Sequence, residues 1–152
     1  MSVETDIRPG EVTVEPPARF DGGVYFIGAI RTPWTARKDC PKRGDAENGP
    51  VCRLEVAELW WPALGGIEAQ ETLQILYWMD WARRDIVRQS PRSDGKTRGT
   101  FSLRSPVRPN PIASSVVRLV GVEKGVVLVR GLDCLDGTPL IDIKPVYCDH
   151  SG

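Results

Sequence analysis

"SSVVRLVGVEKGVVLVRGLDCL", Ser114–Leu135, is the stretch whose reading decides the fold. Two runs rich in β-branched residues flank Glu123-Lys124-Gly125. Such runs, broken by a glycine-containing turn, predict two strands joined as a hairpin. On the C-terminal side, "DGTP" (Asp136–Pro139) has Gly and Pro in turn-forming places, and "LIDIKPV" (Leu140–Val146) reads as a last strand stopped by Pro145. On the N-terminal side, "RSPVRPNPIA" (Arg104–Ala113) contains Pro106, Pro109 and Pro111. Each fixes its own φ and restricts the residue before it, which leaves a stiff, extended segment.

Further out the pattern repeats. "VYFIGAIR" (Val24–Arg31) reads as a strand ended by Pro33, followed by a long polar loop from Thr35 to Pro50. "VCRLEVAELWW" (Val51–Trp61) alternates apolar and polar residues as a half-buried strand does. A single helical turn is expected after Gly66, and "ILYWMDWA" (Ile75–Ala82) reads as an apolar strand whose Trp78 and Trp81 serve packing. Asp85–Gly99 reads as a second long, basic loop, and "TFSLR" (Thr100–Arg104) as a short strand. Many short strands with few short helices predict a mainly β fold, a small single-sheet β-barrel. The expected organisation is a flexible lead-in over 1–20, the barrel over 21–148 and a tail over 149–152.

Composition narrows the function classes. The chain has 152 residues, enough for one domain with a real core, and 20 basic residues balance 20 acidic ones. Zero net charge excludes a global electrostatic affinity for nucleic acid or membrane, so any basic surface is local. No apolar run reaches the roughly 18 residues of a spanning helix, and the first residues lack the apolar core of a secretory signal. The expected location is the cytoplasm, without membrane partners. Cys40, Cys52, Cys134 and Cys148 form no C-x-x-C pair. Reduced, structural thiols are expected rather than a metal site or a disulfide framework.

Two segments bear chemistry. Arg104 and Arg108 offer permanently charged planar forks to a carboxylate, phosphate or ring face, and Asn110 can cap a turn. The same residues also suit an ordinary solvated proline-rich loop. Asp133, Asp136 and Asp142 surround a tight turn that can neutralise a cation, or simply form the turn. Ahead of them, Arg83, Arg84, Arg88, Arg92, Lys96 and Arg98 suit phosphate contacts or a solvated loop, and Tyr77 or Trp81 suits stacking on an exposed base. His150, the single histidine, sits too near the chain end for a catalytic base.

These stretches resemble a known family. "RSPVRPNPIASSVVRL" and "LDCLDGTPLIDIKP" resemble the signature of the TrmO family, also called TsaA-like or YaeB-like, with weaker similarity at "FIGAIRTPW", "DCPKR" and "GGIEAQETLQILYW". The resemblance implies a β-barrel homodimer that uses S-adenosylmethionine to methylate the N6 nitrogen of threonylcarbamoyl-adenosine in the tRNA anticodon loop. Cofactor contacts would then fall on Pro41, Lys42 and Arg43, on Tyr77 and Trp78, on Arg104 and Ser114, and on Asp133, Cys134, Leu135 and Asp136. Asp136 or Asp142 would accept the proton. The chain departs from the family at Lys42 and Arg43, where the family has Arg and Gln. It departs again at Ala113, in place of Gly, and at Val146, in place of Tyr. The alternatives are a methyltransferase of this fold acting on a small molecule, and a non-catalytic cofactor- or RNA-binding module.

Overall fold

A computed structural model describes residues 6–147. Strands are β1 (Val12–Thr13), β2 (Gly28–Arg31), β3 (Cys52–Val56), β4 (Thr72–Trp78), β5 (Ile86–Gln89), β6 (Arg98–Gly99), β7 (Ile112–Glu123), β8 (Val126–Arg130) and β9 (Thr138–Pro145). Helical structure among the described residues is confined to short 3-10 segments. The chain divides into two compact units, one of residues up to Gly23 with Met79–Ala113, the other of Val24–Trp78 with the chain from Ser114 onward.

The larger unit is the expected barrel. Its strands close in the order β2-β3-β8-β7-β4-β9, with β9 returning to β2. The hairpin that decides the fold is β7 and β8, antiparallel, with Glu123 opposite Val126. Gly125 makes its turn at φ +72°, and Val56 N–H donates to the Gly125 carbonyl at 2.9 Å. That positive φ favours glycine. Alternation places Cys52, Leu54 and Val56 of β3, Leu73, Ile75 and Tyr77 of β4, and Val127 and Val129 of β8 inside. Ile30, Val117 and Leu140 complete this interior. Each full apolar burial is worth about 1.5–3 kcal/mol.

The smaller unit holds a three-stranded sheet in the order β1-β5-β6. Its core is Ala82, Ile86 and Val107, against which Met79 and Trp81 pack. Gln89 crosses this core with its amide donating to Thr100 Oγ1 at 2.9 Å and to the Val107 carbonyl at 2.6 Å. Thr100 Oγ1 passes its own hydrogen to the Ile86 carbonyl at 2.8 Å. Buried polar groups need such partners.

Several local expectations give way to tertiary context. Val12–Thr13, within the expected lead-in, pairs with β5, which itself lies in the expected basic loop. "TFSLR" forms a 3-10 turn over Thr100–Ser102 rather than a strand. The strand expected through Trp61 ends at Val56; Glu58–Leu64 is 3-10 helix and contains Pro62, which cannot donate to a ladder. The strand expected from Val24 starts at Gly28, and the one expected through Ala82 ends at Trp78. Among the described residues no helix is long and apolar enough to cross a membrane.

Candidate active site

At one mouth of the barrel, the chain leaving β2 meets the chain joining β8 to β9. Thr32 Oγ1 donates to the Cys134 carbonyl at 2.8 Å, and Thr32 N–H donates to Asp136 Oδ1 at 3.1 Å. Asp136 N–H donates to the Trp34 carbonyl at 2.8 Å, and Gly137 N–H to that of Ile30 at 2.8 Å. Four bonds thus fix residues 30–34 against 134–137. Arg31 stands near by, with Nε 2.7 Å from Glu55 and Nη1 3.9 Å from Asp136 Oδ2.

The next segment of the first loop packs on the same turn. A Cβ on Gly44 would overlap the Gly131 carbonyl oxygen. Burial first, and then the negative Asp133, push the Cys40 thiol above its ordinary range. Cys40 immediately precedes Pro41, Lys42 and Arg43, which are exposed.

β4 and β7 deliver the third side. Tyr77 points into the barrel with 2% of its surface exposed. Its phenol donates to Asp133 Oδ1 at 2.9 Å and lies 2.7 Å from Ser115 Oγ. Burial pushes the phenol above its ordinary value, so it stays protonated. Ser114, one residue earlier on β7, instead accepts from Gln74 Nε2 at 3.0 Å. The two-residue period of a strand separates these serines onto opposite faces. Trp78 follows the same rule on β4, half-buried, with its ring 6.0 Å from that of Phe26.

Buried Cys134 and Cys52 are free thiols, pushed by burial up to about 12 and about 11. They are inert packing groups rather than nucleophiles. Cys148 and His150 lie outside the described residues.

The tRNA-methyltransferase O N-terminal domain family matches residues 29–150, most of the chain and all of the barrel strands but Gly28 of β2. The chain belongs to this family. A probable S-adenosyl-L-methionine-binding protein, VirR, of Rhizobium radiobacter is 53% identical over 93% of this chain and 80% of its own length. An S-adenosyl-L-methionine-binding protein of Archaeoglobus fulgidus is 40% identical over 78% and 84%. The crystal structure of TrmO from Pseudomonas aeruginosa matches with a TM-score of 0.69 at 33% identity, covering 84% of this chain. The chain spans 57% of that TrmO chain. A mouse tRNA (adenine(37)-N6)-methyltransferase is 48% identical over 41% of this chain and 14% of its own length.

In this tRNA-methyltransferase O domain the expected site residues divide into groups. Asp133, Cys134, Leu135 and Asp136 form the turn, with Pro41–Arg43 following Cys40 on the loop beside it and Tyr77 bonded to Asp133. Ser114 and Trp78 occupy the outward faces of their strands. Asp142 is not brought to the turn. It is four residues up β9 from Thr138, roughly 13 Å at strand rise, and its carboxylate is 3.2 Å from Lys144 Nζ. There it lines a separate cavity of about 340 Å³ with Ile27, Trp60, Leu64 and Leu73. Tyr77, being buried, presents no face for stacking on a base.

Arg104 belongs to the smaller unit and is exposed. Its proline-rich loop is ordered from within. Arg108 Nη1 donates to the Leu103 and Ser105 carbonyls, both at 3.0 Å, so it does not extend as a free fork. Arg84 Nε donates to the Pro109 carbonyl at 2.7 Å while its guanidinium sits 4.6 Å over the Phe20 ring. Arg83 pairs with Asp85 at 2.8 Å, and Arg88 bonds to Thr97. Much of the basic segment therefore builds its own unit. Sequence reasoning missed Thr32 and Ser115; the alternation along β7 singles out Ser115 once the partner strand is known.

Proposed function

We propose that this protein binds S-adenosylmethionine at the Asp133–Asp136 turn and transfers its methyl group to the N6 nitrogen of a modified adenosine, threonylcarbamoyl-adenosine, in a tRNA anticodon loop. The observation that carries it is the knot of Thr32, Tyr77, Asp133 and Asp136 at one barrel mouth, in a chain of this family. The chemistry of the turn fits the cofactor. Carboxylates suit its sulfonium and ammonium groups, and the exposed Lys42 and Arg43 suit its carboxylate. The names of the relatives support the same cofactor, and the mouse relative's name supports adenine N6 as the target.

The cofactor supplies an electrophilic methyl group; the protein supplies position. The target nitrogen must lose its proton, and Asp136 is the carboxylate at this turn able to accept it. The cofactor-binding set is Pro41, Lys42, Arg43, Trp78, Ser114 and Asp133–Asp136, in a homodimer. Arg104, carried by the other unit, is a separate proposal resting on its motif. A second reading, a cofactor-binding module without tRNA activity, draws support from the internal engagement of Arg83, Arg84 and Arg88.

The test has two arms. Titration calorimetry should show metal-independent binding of S-adenosylmethionine, weakened by Arg104→Ala. Nucleoside mass spectrometry of tRNA should show loss of methylated threonylcarbamoyl-adenosine when the gene is deleted. Restoration by wild type but not by Asp136→Asn, even when S-adenosylmethionine is supplied at saturating concentration, is the expected pattern. Binding with no change in tRNA would overturn the tRNA reading and leave the binding module or a methyltransferase acting on a small molecule.

A further inference from the structure

We infer that Ser115 and Tyr77 form a positioning chain that fixes the Asp133 carboxylate for the cationic methionyl end of the cofactor; this rests on the cofactor reading above. A phenol has one hydrogen and a carboxylate only accepts. With Tyr77 donating to Asp133 Oδ1, the 2.7 Å contact to Ser115 must run from the serine hydroxyl to the phenol oxygen. The chain has one direction, Ser115 to Tyr77 to Asp133, and ends on a negative charge.

The surroundings make this arrangement stiff. Tyr77 stands on β4 between Ile75 and the strand end, with its ring filling the barrel interior. Ser115 stands two residues before buried Val117 on β7. Two strands therefore hold the hydroxyls, and only the carboxylate belongs to a loop. Asp133 remains partly open to solvent. With Oδ1 held, its second oxygen is left for a cation. Tyr77 thus acts through Asp133 and is not itself a wall of the site. Short donor chains ending on an ion are stronger than neutral pairs.

The experiment is calorimetric titration of wild type, Tyr77→Phe, Ser115→Ala, Asp133→Asn and the Tyr77→Phe/Asp133→Asn double variant. The probes are S-adenosylmethionine and 5′-methylthioadenosine, which keeps the adenosine but has neither cation. Tyr77→Phe should weaken S-adenosylmethionine roughly 15- to 100-fold, within the range for charge-assisted bonds, and leave methylthioadenosine within about twofold. Ser115→Ala should do the same more weakly, and it keeps the test available if Tyr77→Phe does not fold. In the Asp133→Asn background, Tyr77→Phe should add little. Equal losses for both probes, no loss, or an undiminished loss without the Asp133 charge would each overturn the inference. Failure of wild type to bind S-adenosylmethionine would instead remove the cofactor reading itself, and the inference with it.

Discussion

The two interior thiols show how one residue's setting becomes a property of the whole protein. Burial raises Cys52 to about 11 and Cys134 to about 12, from an ordinary value of about 9. The fold therefore favours the neutral thiols. The associated stability is complete below pH 9 and is lost as pH rises through 11–12. Thermal melts between pH 7 and 11 should show a falling midpoint above pH 9. Cys52→Ala should shallow that fall, whatever its own cost in packing. A flat profile would mean that these thiols ionise as freely in the fold as outside it. At the same scale, Arg84, Arg88 and Arg108 read in the sequence as free cations, yet their donors are spent on carbonyls and hydroxyls of their own unit. Composition records a charge but not its partner.

Among the elements, the first long loop has the most demanding contact. Gly44 lies so close to the Gly131 carbonyl that a side chain has no room. Gly44→Ala should cost about 1–3 kcal/mol, the range for overpacking, and should weaken S-adenosylmethionine binding because the Asp133–Asp136 turn must shift. Lys42→Ala, two residues away and exposed, should stay within about 0.5 kcal/mol in stability. Urea unfolding of both variants, with titration of the cofactor, checks the pair. A neutral Gly44→Ala would show that the loop is not seated on the turn. The hairpin of β7 and β8 and the last strand, β9, were legible from composition and turn residues. β1 and β6 were not, because two-residue strands have no period to read and exist only through β5.

For the whole molecule, the exposed apolar residues bear on assembly. Packing of exposed tryptophans in a two-fold contact is the simplest expectation, but all five tryptophans are half-buried. On the barrel unit Tyr25 and Leu59, each 76% exposed, are among the large apolar side chains left to solvent. Apolar side chains of this kind would be covered in a two-fold contact. Sedimentation at micromolar concentration should show a two-fold homodimer. Tyr25→Glu or Leu59→Glu should shift it to monomer without lowering the melting midpoint of the monomeric unit. A wild-type monomer at that concentration, fully active, would rule out an obligatory partner.

By itself the sequence determined that the chain is mainly β, that Ser114–Leu135 carries its hairpin and that the proline-rich and Asp-Gly segments are stiff or tightly turned. Each of these is a local property: β-branched runs, turn glycines and fixed φ angles act within a few residues of themselves. Only the tertiary structure decided that Asp136 is tied to Thr32 while Asp142 lies apart, and that Ser115 meets Tyr77, which in turn bonds to Asp133. Those outcomes depend on strand register and barrel closure. A shift of one residue in register reverses every side chain, and closure joins positions 38 to 104 residues apart whose spacing in the chain carries no trace of their contact.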